Sequence, residues 1–149
     1  MNGQQKNNEK GFTIIEVVLV LAIAALIFLM VFIALPALQR SQRDTQRKND
    51  LARAQTALQN YQSNNRNRLP TNYDDFAANY LEVGGDTFTD PDGTDYEFRT
   101  GTVPSEFTSG RIIYTPSRVC DGEGIVNAGP SKVAFQYKLE GGGVSCVSN

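Results

Sequence analysis

The chain has 149 residues and a formal net charge of −2, and 40% of its residues are hydrophobic. It contains no histidine and only two cysteines, which excludes a zinc site built from the usual cysteine and histidine ligands. The length allows one globular domain beside an anchoring segment. Charge is unevenly distributed: residues 39–69 hold seven basic and two acidic side chains, whereas residues 70–149 hold five basic and twelve acidic ones.

The first eleven residues form a polar leader, rich in asparagine and glutamine, with no periodicity. We therefore expect no fold of its own in residues 1–11. Its charged residues are Lys6, Glu9 and Lys10, and this basic balance favours the cytoplasmic side of a membrane. The flank after the following apolar run is also basic, but a long downstream domain is translocated largely regardless of its charge.

An apolar run begins at Phe12 and includes nineteen consecutive apolar residues from Val17 to Leu35. As a helix this stretch would extend ~28 Å, close to the ~30 Å hydrocarbon core of a bilayer. The run is too long for the apolar region of an ordinary secretory signal. A plain membrane anchor explains the length but not Glu16, because an ionisable side chain is costly at membrane depth and indicates a function.

The segment Gly11-Phe12-Thr13-Ile14-Ile15-Glu16, between a polar leader and a long apolar run, resembles the processing site of type IV prepilins. The resemblance covers about the first third of the chain. It implies that a membrane peptidase cuts between Gly11 and Phe12, that the new N-terminus at Phe12 is methylated, and that Glu16 serves assembly.

Cleavage would place a positively charged amine on Phe12, one helical turn before Glu16. The carboxylate can pair with the amine of its own chain or with that of an adjacent subunit. Because an unpaired buried charge is costly, the second pairing would penalise a wrong axial register between subunits. A role for Glu16 only in recognition by the peptidase or methylase remains open.

Residues 39–69 are predicted to continue the helix, because neither glycine nor proline interrupts residues 39–65. Pro36 precedes them and predicts either a kink at the membrane exit or a point where the helix melts during assembly. Residues 39–50 show no apolar stripe, so we expect them to face water or neighbouring subunits. The following apolar residues share one helical face and should pack on a sheet: Leu51, Ala54, Leu58 and Tyr61.

Residues 70–149 are predicted to form a globular head. Thr71–Leu81 is typical of a short helix or turn, and Gly84-Gly85 then breaks the chain. Four segments are predicted to form strands: Tyr96–Thr100, Arg111–Thr115, Lys132–Leu139 and Val144–Val147. One face of the third strand is apolar, with Val133, Phe135, Tyr137 and Leu139, and the glycines at 141–143 allow a hairpin into the fourth.

A helical stripe with a small antiparallel sheet predicts an α+β head. The resemblance implies the same architecture, a long N-terminal helix packed on an antiparallel sheet. The predicted organisation is a leader at 1–11, a transmembrane and assembly helix at 12–38, its amphipathic continuation at 39–69 and the head at 70–149. The basic helix and acidic head suit contacts between stacked subunits, although two solvated faces explain the same charges.

Cys120 and Cys146 are the only cysteines in the sequence. Type IV pilins commonly carry a disulfide near the C-terminus, so the resemblance implies that these two are bonded. A head of this size has a modest core and often needs such a cross-link, worth about 3–4 kcal/mol in the chain-entropy model. The pairing also requires export to an oxidising compartment.

The segment Asp86–Phe98 is rich in aspartate, and Asp90-Pro91-Asp92-Gly93 within it predicts a turn. It also resembles the Asp-Pro-x-Gly-x-x-Tyr segment of major pseudopilins of type II secretion, near which a loop binds calcium. The candidate oxygen ligands are Asp86, Asp90, Asp92 and Asp95. Their spacing is not that of an EF-hand, and no other cofactor is expected.

The leading hypothesis is a structural subunit of a type IV pilus, used for adhesion, twitching motility or DNA uptake. Its expected partners are the prepilin peptidase and methylase, the inner-membrane assembly machinery and further copies of itself in a helical homopolymer. We expect the precursor in the cytoplasmic membrane and the processed subunit in an extracellular fibre.

Three other functions compete with this one. A pseudopilin of type II secretion is favoured by the segment Asp90–Tyr96 but not by the C-terminal disulfide. A minor DNA-binding pilin is disfavoured by the acidic head, since affinity for nucleic acid depends on bases, and no nucleic-acid partner is expected. An enzyme is not expected, because the sequence has no histidine, no Gly-x-Ser-x-Gly motif and no phosphate-binding loop.

Overall fold

A computed structural model describes residues 11–149, so most of the predicted leader lies outside the described residues. A long helix, α1, extends over Ile14–Asn64, and a shorter one, α2, over Tyr73–Tyr80. The chain divides into two compact units after Leu38: an N-terminal unit that contains the first half of α1, and a C-terminal unit, Gln39–Asn149.

The described part of the N-terminal unit is helical from Ile14 onward, and its apolar side chains are exposed. Phe12 is 89% exposed and Leu35 is 47% exposed, and the large apolar residues between them fall in the same range. The helix continues through Pro36. By length and composition α1 is able to cross a membrane, as the sequence predicts.

The end of α1 is set by local backbone geometry. Arg66 and Asn67 adopt left-handed φ angles of 56° and 61°, a conformation that asparagine tolerates better than most residues. The amide of Asn67 then donates to the carbonyl of Gln62 at 2.8 Å, which closes the last turn. The next helix, α2, begins after Asn72, whose side-chain oxygen accepts a hydrogen bond from the amide of Asp74 at 2.9 Å.

Six strands follow. They are β1 (Glu97–Arg99), β2 (Arg111–Pro116), β3 (Arg118–Asp121), β4 (Gly124–Asn127), β5 (Val133–Lys138) and β6 (Val144–Ser148). Four of them form one sheet in the order β1-β2-β5-β6, and β3 pairs with β4 in a separate hairpin. The α+β fold class is confirmed. The sheet is mixed rather than fully antiparallel, because β1 runs parallel to β2 and the other pairs are antiparallel.

The β3–β4 hairpin was not predicted, because both strands are short and neither shows a regular apolar alternation. The hairpin explains why β5 is buried on both faces. Ala134 and Gln136, on the strand face opposite Val133 and Phe135, are 0% and 7% exposed. The amide group of Gln136 donates to the carbonyl of Glu123 in the hairpin turn at 2.8 Å.

The core of the C-terminal unit lies between the second half of α1, α2 and the inner face of the four-stranded sheet. The predicted helical stripe is buried, with Leu51, Ala54 and Leu58 no more than 1% exposed. It packs with Phe76 of α2 and Phe135 of β5 in one apolar cluster. Burial of this stripe holds the sheet on the helix.

Candidate functional site: the N-terminal segment and the ionic network of the head

The described chain starts at the junction predicted for processing. Gly11 and Phe12 precede the first helical residue, Ile14, and both are exposed. Glu16 lies in the first turn of α1. The junction is therefore accessible in this structure, while the carboxylate lies at the start of the apolar surface.

Thr13 and Glu16 form a reciprocal pair at this helix start. The Glu16 carboxylate accepts hydrogen bonds from the amide and the hydroxyl of Thr13, both at 2.8 Å, and the Glu16 amide lies 3.4 Å from that hydroxyl. This is the capping-box arrangement, which satisfies amides that have no partner within the helix. Cleavage between Gly11 and Phe12 would leave the Thr13 amide intact, so the pair would persist in a processed chain.

Thr13 was not predicted as the N-cap of α1, although the spacing Thr-x-x-Glu before an apolar run indicates a capping box. Both hydrogen bonds from Thr13 end on the same carboxylate oxygen, Oε2 of Glu16. Among residues 11–149 the second oxygen, Oε1, has no hydrogen-bond partner. That oxygen can accept from a further donor without breaking the cap.

A buried ionic network lies where the sequence predicts exposure. Asp44, Arg47 and Asp50 are 8%, 1% and 6% exposed. The expectation that residues 39–50 face water or neighbouring subunits is therefore wrong for this face of α1. The reason is periodicity: Asp44 and Arg47 extend the helical face of Leu51, so the same chain covers them.

Arg47 is the centre of this network. Its Nε and Nη2 atoms donate to the two carboxylate oxygens of Asp90 at 2.9 and 2.7 Å, and its Nη1 donates to Asp44 at 3.0 Å and to Glu140 at 3.1 Å. The guanidinium also lies 4.6 Å from the centre of the Phe107 ring. Burial acts to lower the pKa of Arg47, but the hydrogen bonds to three carboxylates raise it above the ordinary value.

Asp90 receives a further hydrogen bond from the β5 side chain of Tyr137. The Tyr137 hydroxyl donates to Asp90 at 2.5 Å and accepts from the Gly110 amide at 2.9 Å. Burial, together with the donated bond to Asp90, raises the pKa of Tyr137 above its ordinary value. A side chain on Gly110 would collide with the backbone oxygen of Asp95, and its φ is +70°, so this approach requires glycine.

The network extends to the turn between β5 and β6. Asp44 accepts hydrogen bonds from the amides of Glu140 and Gly141 at 3.0 and 2.7 Å, and a Cβ on Gly141 would lie 3.0 Å from the same carboxylate. Arg43 donates two hydrogen bonds to Glu140 at 2.9 and 2.6 Å. The Arg43 guanidinium lowers the pKa of Glu140 to about 2. Two bases of the helix, Arg43 and Arg47, are thus paired with an acid of the head within one chain.

The aspartate-rich segment forms the predicted turn. The Asp90 amide donates to the carbonyl of Thr94 at 2.8 Å, and Gly93 has a left-handed φ of +91°. Asp92 accepts hydrogen bonds from the Ser109 hydroxyl and the Thr94 amide, which lower its pKa to about 2, with the hydroxyl contributing most.

The four calcium candidates do not form one cluster in this structure. The carboxylate of Asp90 accepts hydrogen bonds from Arg47 and Tyr137. In residues 11–149 no group of three or more acidic, histidine or cysteine side chains is placed to hold a metal ion. Calcium binding by Asp86, Asp90, Asp92 and Asp95 stays a prediction.

The two cysteines are joined in the structure. The Cys120–Cys146 disulfide connects β3 with β6, with a Cα–Cα distance of 5.8 Å. The Cys120 amide also donates to the Ser148 hydroxyl at 3.2 Å. These contacts attach the β3–β4 hairpin to the main sheet.

A long apolar helix that opens on a glycine–aromatic junction, followed by a disulfide-linked α+β head, fits the class of membrane-anchored precursors with a globular C-terminal unit. Residues 6–32 match the family model described as the prokaryotic N-terminal methylation motif. No curated protein and no solved structure matches the chain.

The methylation motif is the type IV prepilin signature, and the exposed apolar helix fits it. The motif supports a protein of the type IV pilin or pseudopilin type that is processed by prepilin peptidase. It indicates a structural subunit rather than an enzyme, and with the apolar helix it fits a membrane-anchored precursor.

Proposed function

We propose that the processed chain is the structural subunit of a type IV pilus. The observation that carries this proposal is the apolar surface of the N-terminal unit, exposed along its whole length from Phe12 to Leu38. A surface of this extent requires cover, since large exposed apolar patches mark interaction sites. A bilayer covers it before assembly, and the same surface of neighbouring subunits covers it in a filament.

The polar groups at the start of α1 then set how subunits align. Cleavage after Gly11 frees an amine on Phe12, and Glu16 keeps one carboxylate oxygen available beyond its bonds to Thr13. The amine of one subunit pairs with Glu16 of the next. Leaving one charge of a buried pair without its partner costs roughly 3–5 kcal/mol. This pairing therefore selects one axial register.

The C-terminal unit supplies the outer surface of the filament. Arg43 and Arg47 of α1 are already paired with Glu140 and Asp90 of the same chain. We therefore expect packing of α1 rather than these ion pairs to supply most of the adhesion between subunits. The partners are the prepilin peptidase and methylase, the inner-membrane assembly machinery and further copies of the chain. The fibre is extracellular, and the precursor lies in the cytoplasmic membrane.

A pseudopilin of type II secretion is the second candidate, favoured by the segment Asp90–Tyr96. The commitment of Asp90 to Arg47 weakens the calcium argument on which that candidate depends. Electron microscopy of wild-type and deletion strains distinguishes the two functions. A pilus subunit predicts surface fibres that disappear on deletion and return on complementation, with secretion of exported enzymes unchanged. Loss of secretion without loss of fibres would identify the pseudopilin.

A further inference from the structure

A groove of about 620 Å³ lies in the C-terminal unit, between the last turns of α1 and α2. We call it the amide groove, because its walls carry four asparagine side chains and two tyrosines. These six residues are Asn64, Asn65, Asn72, Asn79, Tyr61 and Tyr80. The function proposed above uses none of them.

Several of the groove amides are held in place by one of their two polar atoms. Asn79 donates from Nδ2 to the carbonyl of Asp75 at 2.7 Å, and Asn65 donates from Nδ2 to the carbonyl of Tyr61 at 2.8 Å. Their Oδ1 atoms have no hydrogen-bond partner among the described residues. Asp75 likewise accepts from Asn72 at one carboxylate oxygen, at 2.9 Å, and keeps the other free. The groove therefore presents fixed acceptors.

The groove also offers aromatic surface beside these polar groups. Tyr61 and Tyr80 are partly exposed, with ring centres 5.3 Å apart, and Tyr80 stacks on the buried ring of Phe76 at 5.8 Å. Packing against Phe76 fixes the Tyr80 ring. The amide nitrogen of Asn64 lies 3.5 Å from the Tyr80 hydroxyl, the limit of a hydrogen bond, so it exchanges readily for a better acceptor.

The chemistry of the lining selects the class of ligand. Amides and hydroxyls both donate and accept, as hydroxyl groups of a sugar do, and the tyrosine rings suit its apolar C–H face. No basic side chain lines the groove and Asp75 adds negative charge, which disfavours an anion. An acyl chain would displace water from the amides without replacing their hydrogen bonds, and each amide left unpaired would weaken binding.

We propose that the amide groove binds a neutral saccharide, with Asn64 and Asn79 contacting its hydroxyl groups and Tyr80 contacting its ring. Binding by one groove is expected to be weak, since the site is open and shallow. In the proposed filament the groove would repeat along the fibre, and multivalency would strengthen attachment to a glycan surface. That consequence rests on the proposed function, whereas binding by the unassembled chain does not.

The test uses the full chain in a phosphocholine detergent, because maltoside detergents carry competing sugar headgroups. Saturation-transfer NMR is recorded with lactose, maltose and N,N′-diacetylchitobiose as probes. At least one should receive saturation from the protein. The double variant Asn64→Ala/Asn79→Ala should weaken its binding about tenfold, the effect of losing two net hydrogen bonds.

Asn60→Ala is the matched control, because Asn60 is an exposed asparagine of α1 that does not line the groove. It should leave saccharide binding unchanged, and all variants should keep the wild-type melting temperature. The proposal is overturned if none of the three disaccharides binds, or if Asn60→Ala weakens binding as much as the double variant. Stronger transfer to a neutral peptide such as Gly-Ser-Gly-Ser than to any sugar would also overturn it.

Discussion

Arg47 of α1 and Asp90 of the turn before β1 form a bidentate ion pair in the interior, with N–O distances of 2.9 and 2.7 Å. The two residues are 43 positions apart in the sequence. Their side chains are 1% and 0% exposed. The planar guanidinium matches both carboxylate oxygens, a geometry that lysine cannot reproduce. This pair fixes the aspartate-rich turn on the long helix.

Breaking the pair should destabilise the C-terminal unit. Arg47→Met leaves Asp90 buried beside Tyr137 without its cation, and loss of one partner of a buried pair costs about 3–5 kcal/mol. Arg47→Lys should lose less stability than Arg47→Met, because lysine keeps the positive charge but not the two parallel hydrogen bonds to Asp90. The measurement is urea unfolding of the full chain in detergent micelles, followed by near-ultraviolet circular dichroism. As a control, Arg99→Ala removes the exposed Arg99–Glu97 pair, whose side chains are 62% and 61% exposed, and should cost far less stability than Arg47→Met. Equal stability of Arg47→Met and wild type would contradict this role.

The stability of the C-terminal unit should fall in acid. The pKa of Glu140 is lowered from 4.5 to about 2 by Arg43, and that of Asp92 from 3.8 to about 2 by Ser109. A group with a depressed folded-state pKa stabilises fully above its unfolded-state value and loses that contribution as the pH falls. The unfolding midpoint should therefore decrease between about pH 4.5 and pH 2. The carboxyl of Asp50, whose pKa burial raises, opposes this trend in part.

Glu140→Gln tests the source of the acid sensitivity. The variant should be less stable than wild type at pH 7, and the difference should shrink as the pH approaches 2, where wild-type Glu140 is itself protonated. Glu106→Gln, at an exposed glutamate that makes no hydrogen bond in the described part of the chain, should follow the wild-type profile. A pH-independent difference between Glu140→Gln and wild type would refute the assignment.

The disulfide should hold the β3–β4 hairpin on the main sheet. Replacing Cys120 and Cys146 together by serine should cost about 3–4 kcal/mol by the chain-entropy model. Limited proteolysis should then cut first in the hairpin turn near Gly122, because single hydrogen bonds such as Gln136–Glu123 and Cys120–Ser148 would have to hold the hairpin without the covalent link. Non-reducing peptide mapping of exported wild-type protein should recover the two cysteines as one linked pair, and free thiols there would contradict the bond.

Processing should produce a mature chain that begins at Phe12 with a methylated amine. The physical reason is local: the junction is exposed and precedes the first helical turn, so a peptidase reaches it without unwinding α1. Intact-mass spectrometry of isolated fibres measures this directly. Fibres that retain residues 1–11 would rule out the cleavage, and Gly11→Ile, which introduces a branched side chain at the junction, should accumulate as uncleaved precursor.

Glu16 should be required for assembly beyond its role as a helix cap. Glu16→Ala should insert into the membrane and fold its head normally but form few fibres, because the Phe12 amine of a neighbour then lacks its partner. When co-expressed with wild type, the variant should enter mixed fibres poorly. Electron microscopy and immunoblotting of sheared fibres measure both effects.

Two further variants separate the cap from the charge. Glu16→Gln keeps an oxygen that can accept from Thr13 but removes the charge, so it should assemble as poorly as Glu16→Ala. Thr13→Ala removes the cap hydroxyl and keeps the charge, so it should assemble well. Abundant fibres from Glu16→Ala of normal geometry would show that the carboxylate is dispensable, and uncleaved or unmethylated Glu16→Ala would instead indicate a role in processing.

The sequence by itself determined the features that depend on local pattern. The apolar run identifies the membrane-length helix, and Leu51, Ala54 and Leu58 identify the core face, because burial of a helix follows a 3.6-residue period. The alternation of β5 places Val133, Phe135 and Tyr137 in the core, because side chains of a strand point to one face at every second residue. The processing motif is likewise a short contiguous segment.

Tertiary structure alone decided the features that depend on residues far apart in the chain. Nothing near Arg47 in the sequence indicates that Asp90 and Glu140 meet it, so a basic helical segment was interpreted as exposed although one of its faces is buried. The parallel pairing of β1 with β2 and the packing of the β3–β4 hairpin on β5 are also long-range choices. Charged residues can enter a core only when distant partners satisfy them, and that condition is met by the fold rather than by a local pattern.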